Sequence, residues 1–206
     1  MKISSFITSA FLCVAPTFAA IIPLPFNTGV NSNGTVAAGG SVDQHFTSGQ
    51  TGSLNTVFAE SLPAGGWVAP DSLSAWVGPD TQSGMVNNGL YTVDYSVTFN
   101  LTGFAPNSVS LTGQLATDDY AYIYLNGVNT GVLAVNYAAW TPFTLNSGFV
   151  NGINTIDFKV TNGGGAGGLR VEFASATATA TPEPASVALI GLGVSSLALL
   201  RRKAVR

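Results

Sequence analysis

Few side chains in this chain have the types and spacing for chemistry. Asp118 and Asp119 are adjacent carboxylates, with Asp80 and Asp94 as further acids upstream. A glycosidase uses two carboxyl groups about 5 to 9.5 Å apart in a cleft, one with a raised pKa. Adjacent aspartates ahead of an alternating segment more often make a turn. The same pair could offer oxygen ligands to calcium, although the chain has no EF-hand loop or repeated Asp loop. No other cofactor is indicated. His45 is the only histidine. A Ser-His-Asp site would need it beside a serine on a strained turn, and no Gly-x-Ser-x-Gly element exists to supply that serine. One histidine cannot build a transition-metal site either, so His45 reads as a surface or edge-strand residue. Tyr120, Tyr122 and Tyr124 alternate with Ala121, Ile123 and Leu125. Either the tyrosines pack between sheets, which is the favoured reading, or they form an exposed platform on which sugar rings stack. Trp140, ahead of Pro142 and Phe143, is a second stacking candidate or a plug at one end of the fold. No catalytic residue is assigned.

The elements that must position these groups are strands. Tyr91, Val93, Tyr95, Val97, Phe99 and Leu101 recur at every second position with polar residues between them. That period buries one face and wets the other. Val109, Leu111, Gly113 and Leu115 repeat the pattern after a turn at 103–107, and Asn126-Gly127 supplies the positive φ of a tight hairpin. Short strands are predicted near 56–60, 74–77, 132–135, 143–145, 156–160 and 169–173, with Trp76 in the core. No segment of the body holds a helical period. Seven to nine short strands separated by turns predict an all-β antiparallel sandwich or jelly roll.

Two apolar ends bracket that body. Residues 1–20 read as a secretory signal helix: Lys2, an apolar run, then small residues, with signal peptidase cutting after Ala19 or Ala20. Cys13 leaves with it, so the mature chain has neither disulfide nor thiol chemistry. Residues 21–52 read as irregular with one edge strand, 53–173 as the sandwich, 174–180 as an Ala/Thr linker and 181–206 as a tail. Lys159 and Arg170 are the only bases of the body, against nine acids. Two cations cannot neutralise a phosphate backbone, which excludes nucleic acid as a partner.

The tail runs Pro182-Glu183-Pro184, then sixteen uncharged residues from Ala185 to Leu200, then Arg201, Arg202 and Lys203. As a helix the apolar run is about 24 Å long, short of a ~30 Å hydrocarbon core, and the basic cluster reads as a stop-transfer signal. One C-terminal transmembrane helix is therefore expected, holding the protein in the inner membrane as an intermediate. Prolines on both sides of Glu183 keep that tripeptide extended and open to a protease-like cleft. The order of the three parts resembles the PEP-CTERM sorting signal of exported proteins from Gram-negative bacteria that make exopolysaccharide. That resemblance implies an exosortase as partner, cutting at Pro182-Glu183-Pro184, and a final place at the cell surface or in the extracellular matrix. The body from about Tyr91 to Phe173, with Asp-Asp-Tyr-Ala-Tyr-Ile-Tyr-Leu-Asn-Gly at 118–127 and the glycine-rich stretch at 163–168, resembles a galactose-binding-like β-sandwich. This likeness implies a scaffold common in polysaccharide-active proteins and carries no particular sugar-binding residue. Together these features point to a non-enzymatic envelope or matrix protein that binds exopolysaccharide weakly. The alternatives are a carbohydrate-active hydrolase and a purely structural or adhesive surface protein.

Overall fold

A computed structural model describes residues 19–48, 54–57, 66–69, 71–78, 90–181, 190–197 and 201. The strands are β1 (Ala19–Ile21), β2 (Val42–Ser48), β3 (Leu54–Val57), β4 (Val77–Gly78), β5 (Leu90–Asn100), β6 (Ser110–Asp118), β7 (Tyr120–Leu125), β8 (Val128–Ala134), β9 (Thr141–Leu145), β10 (Ile153–Gly163) and β11 (Gly168–Thr179). All their pairings are antiparallel, in the order β8-β7-β10-β5-β2-β3-β4-β11-β6-β9, with β1 also on β11. The ribbon folds back on itself, so β8-β7-β10-β5-β2 makes one layer and β4-β11-β6-β9 the other. This is the all-β sandwich that the alternation predicts.

Phe46 on β2 and Phe158 on β10 meet Phe143 on β9 and Phe173 on β11 between the layers, with neighbouring ring centroids 6.0 to 6.5 Å apart. Val93, Tyr95 and Val97 of β5 and Ile156, Phe158 and Val160 of β10 are all buried, while Asp94, Ser96, Asp157 and Lys159 point outward. Their period of two is thus the period of the pleat. Trp76 is fully buried, as expected. The hairpin between β7 and β8 turns on Asn126 and Gly127, both at positive φ (50° and 80°), the geometry a tight primed turn requires.

Several expectations change. Among the described residues no helix is long and apolar enough to cross a membrane, so the predicted C-terminal transmembrane helix is not found. Of the tail, residues 190–197 and Arg201 are described, and all are helical. Gly191 and Gly193 lie in this stretch, and glycine is a poor helix former. A membrane partnership through that helix falls with it. The predicted N-terminal signal helix lies outside the described residues over 1–18, and from Ala19 the chain is strand β1, paired with β11 from Thr177 to Thr179. β11 continues through the alanine-threonine stretch after Phe173, past an irregularity between Phe173 and Ser175, and buries Ala176 and Ala178. In the first part of the body, β2 pairs with β3 on one side and β5 on the other. Buried Asp43 anchors it by accepting from the backbone N–H groups of Gly29, His45 and Phe46 at 2.7, 2.8 and 2.7 Å.

Candidate functional site

Strand β7 decides which aromatic rings meet solvent. Ala121, Ile123 and Leu125 are fully buried, whereas Tyr120 and Tyr122 are 38% and 36% exposed and Tyr124 is half-buried. The favoured expectation of inter-sheet packing for the tyrosines is therefore overturned. Ala121, Ile123 and Leu125 join the core between the layers, and the rings lie on the outer face. Tyr120 and Tyr122 meet edge to face, with centroids 6.2 Å apart. Next to them, β10 contributes Lys159, opposite Tyr122, and Asp157, opposite Tyr124. The Lys159 ammonium stands 4.8 Å above the Tyr124 ring and donates to Asp94 Oδ2 at 2.8 Å. That hydrogen bond raises the Lys159 pKa and keeps the ammonium charged. Ser96 donates to Asp157, Asn129 Nδ2 donates to the Tyr124 hydroxyl at 3.4 Å, and Thr92 and Thr161 share a hydrogen bond. The result is a row of three rings along one strand, flanked by a strip of fixed polar groups. Hydrogen-bonding residues set beside ring faces suit a pyranose, whose C–H face is apolar and whose edge is hydroxylated.

Asp118 and Asp119 lie where β6 passes into β7, at one end of the same strand. The Asp119 carboxylate accepts from the Gly163 N–H. Burial, then the hydrogen bond and charge of Asp119, push Asp118 up to about 7. Asp94, one expected partner for an acid-base pair, is committed to Lys159, and Asp80 lies outside the described residues. No group of three or more His, Cys, Asp or Glu side chains suited to a metal ion occurs among the described residues. His45 stacks on Phe26, with ring centroids 3.5 Å apart, and its Nε2 lies 3.0 Å from the Asn31 carbonyl.

Trp140 does not join the tyrosines. It packs with Trp67, Val68 and Ala166 around Trp76 and Ala116 on the outer face of the other layer, 4.8 Å above the guanidinium of Arg170. Arg170 is fully buried and held on three sides. Nε donates to Ser74 at 2.7 Å, Nη1 to the carbonyls of Val68 and Ala69, and Nη2 to Glu172 at 3.0 Å, while the Asp71 carboxylate makes an ion pair with Nη2 at 3.0 Å. The sequence gives a partial signal for these residues: the body has two bases, one exposed among carboxylates and one within a strand. Their roles depend on contacts as much as 102 residues apart in the chain. In the tail, Arg201 is exposed, while Pro182, Glu183, Pro184, Arg202 and Lys203 lie outside the described residues.

Residues 180–203 match the PEP-CTERM protein-sorting motif, so the chain carries the sorting signal that its tail resembles. No curated protein sequence matches the chain. Among solved structures, the fold is similar to a family 35 carbohydrate binding module from Clostridium thermocellum, at 14% identity over 57% of this chain and 96% of that one, with a TM-score of 0.33. A family 35 module from an environmental isolate aligns at 9% identity over 66% of this chain and 98% of that one (TM-score 0.34). A Podospora anserina GH26-CBM35 β-(1,4)-mannanase aligns at 14% identity over 68% of this chain and 29% of that one (TM-score 0.33).

Proposed function

We propose that this chain is an exported, non-enzymatic envelope or matrix protein, sorted by an exosortase through its PEP-CTERM tail, whose sandwich binds exopolysaccharide weakly through the outer face of β7. The match over residues 180–203 supports the sorting half. The binding half is carried by one observation: Tyr120, Tyr122 and Tyr124 turn outward along a strand whose opposite side is fully buried. Asp94 and Asp157 outnumber Lys159 on this face, so an anionic polymer would meet like charge and a neutral polysaccharide fits best.

Binding is tested by affinity electrophoresis of the full chain in gels containing the producing organism's own exopolysaccharide. Tyr122→Ala should weaken retention about tenfold, or ~1.4 kcal/mol, with unchanged circular dichroism. Equal retention of the variant and the wild type would remove the tyrosine face from the function. Asp118, whose carboxyl burial pushes up to about 7, is the one observation that favours a hydrolase. The surroundings oppose that role, because Asp94, one expected partner for it, is tied to Lys159. Polysaccharide turnover that disappears in Asp118→Asn would reverse this conclusion.

A further inference from the structure

We infer that Trp67, Tyr137 and Trp140 form a second saccharide-binding surface, on the layer opposite the tyrosine row, so that a single domain engages two polysaccharide strands. The ligand class rests on the function proposed above; the residues are independent of it.

The three rings come from two separate segments that the fold pins together. Val68 N–H donates to the Tyr137 carbonyl at 2.8 Å, and Thr117 N–H donates to the Asn136 carbonyl at 3.1 Å. Each ring has a rigid backing. Trp67 lies against Trp76 with centroids 4.3 Å apart, and Trp76 is itself fixed by donating from Nε1 to the Val68 carbonyl at 2.8 Å. Trp140 rests on the guanidinium of Arg170. Fully buried and held by Ser74, Val68, Ala69, Glu172 and the Asp71 charge, Arg170 is a fixed base for the indole. Tyr137 extends the plate outward, stacked on Trp67 at 5.5 Å and 30° and itself 40% exposed.

A cluster built only for packing would bury its rings. Here Trp76 takes that role, while Trp67 and Trp140 stay half-open and Tyr137 is exposed. Asp71, with half of its side chain exposed, stands at the rim. Asp71 and Glu172 together outweigh the charge of Arg170, so this surface, like the first, offers no unmatched cation to a uronate or sulfated polymer. Aromatic faces with a polar, cation-poor rim select the apolar face of a neutral pyranose.

All three tryptophans of the chain lie in this cluster and none lies on the tyrosine row, so tryptophan emission reports this surface alone. The full chain is titrated with mannohexaose and with cellohexaose, following emission and calorimetric stoichiometry together. For at least one sugar, emission should shift in the wild type and in Tyr122→Ala but not in Tyr137→Ala, and stoichiometry should fall from two to one in either variant. Trp140→Phe, which keeps a ring over Arg170, should weaken the emission-linked event severalfold and serves as the second variant if Tyr137→Ala misfolds. Binding with a stoichiometry of one and unchanged emission overturns the second surface and leaves the tyrosine row standing. An emission shift unaffected by Tyr122→Ala at a stoichiometry of one supports this surface and removes the tyrosine row. Binding of neither sugar overturns both.

Discussion

Arg170 shows how one residue can organise a surface without touching a ligand. Its guanidinium ties β11 to the segment carrying Val68, Ala69, Asp71 and Ser74, and it supports Trp140. Removing it leaves the Glu172 carboxylate buried without its counter-charge, held only by hydrogen bonds from Ser74 and Gln114, and breaking a buried pair of this kind costs about 3–5 kcal/mol. Arg170→Ala should therefore lower the urea midpoint sharply. Arg170→Lys should recover less than half of the loss, since one ammonium cannot serve acceptors on three sides. Asp118 gives a pH-dependent test. Its folded pKa, about 7, lies above the ordinary 3.8, so between those pH values the folded state holds a proton that the unfolded chain has released. That contribution is complete below about pH 4 and is lost as pH rises through 7. The carboxyl is partly exposed, and solvent screening reduces the effect to about 1–2 kcal/mol. Asp118→Asn should gain stability over the wild type between pH 4 and 7 and hold a constant advantage above that, read as Tm across a pH series.

At the scale of the element, the strands were legible because β5 and β10 alternate strongly polar with strongly apolar residues. On β7 both sets are apolar enough to be buried. Which set is buried follows its registry with β10, where Ile123 pairs with buried Phe158 and Tyr122 with Lys159, and that cannot be read from the strand itself. The tryptophan cluster was illegible for a related reason: its members are brought together by loops, with no period to announce them. Gly113 fell within an apolar alternation, and the structure shows why it has no side chain. A Cβ there would lie 2.5 Å from both the Glu172 carbonyl oxygen and Phe143 Cζ. Gly113→Ala should cost about 2–3 kcal/mol by forcing β11 or the Phe143 ring aside, measurable by chemical denaturation. The C-terminal span is over-read from sequence because a run of apolar residues fixes hydrophobicity, while a crossing also needs a helix of sufficient length, which the described residues do not form.

For the molecule as a whole, the sandwich holds its chain up to the edge of the sorting motif. Ala105 N–H donates to the Thr179 carbonyl, Phe104 bridges Ala180, and Thr181 N–H donates to the Gly103 carbonyl at 2.8 Å. Ending the chain after Thr181 should leave the thermal midpoint within about 2 °C of the full chain, since every described sandwich contact remains. Ending it after Phe173 removes buried Ala176 and Ala178 and the partner of β1, and should abolish cooperative unfolding in calorimetry. Thr181 is the last residue held by the sandwich before Pro182, and β11 runs from there to Gly168, twelve strand residues or about 40 Å away. Were the chain tethered through its tail, the domain would be moored there by one pole. The pole bearing Asp118, Tyr120 and the tryptophan cluster would then stand away from the mooring, and both aromatic surfaces would begin where passing polymer first arrives.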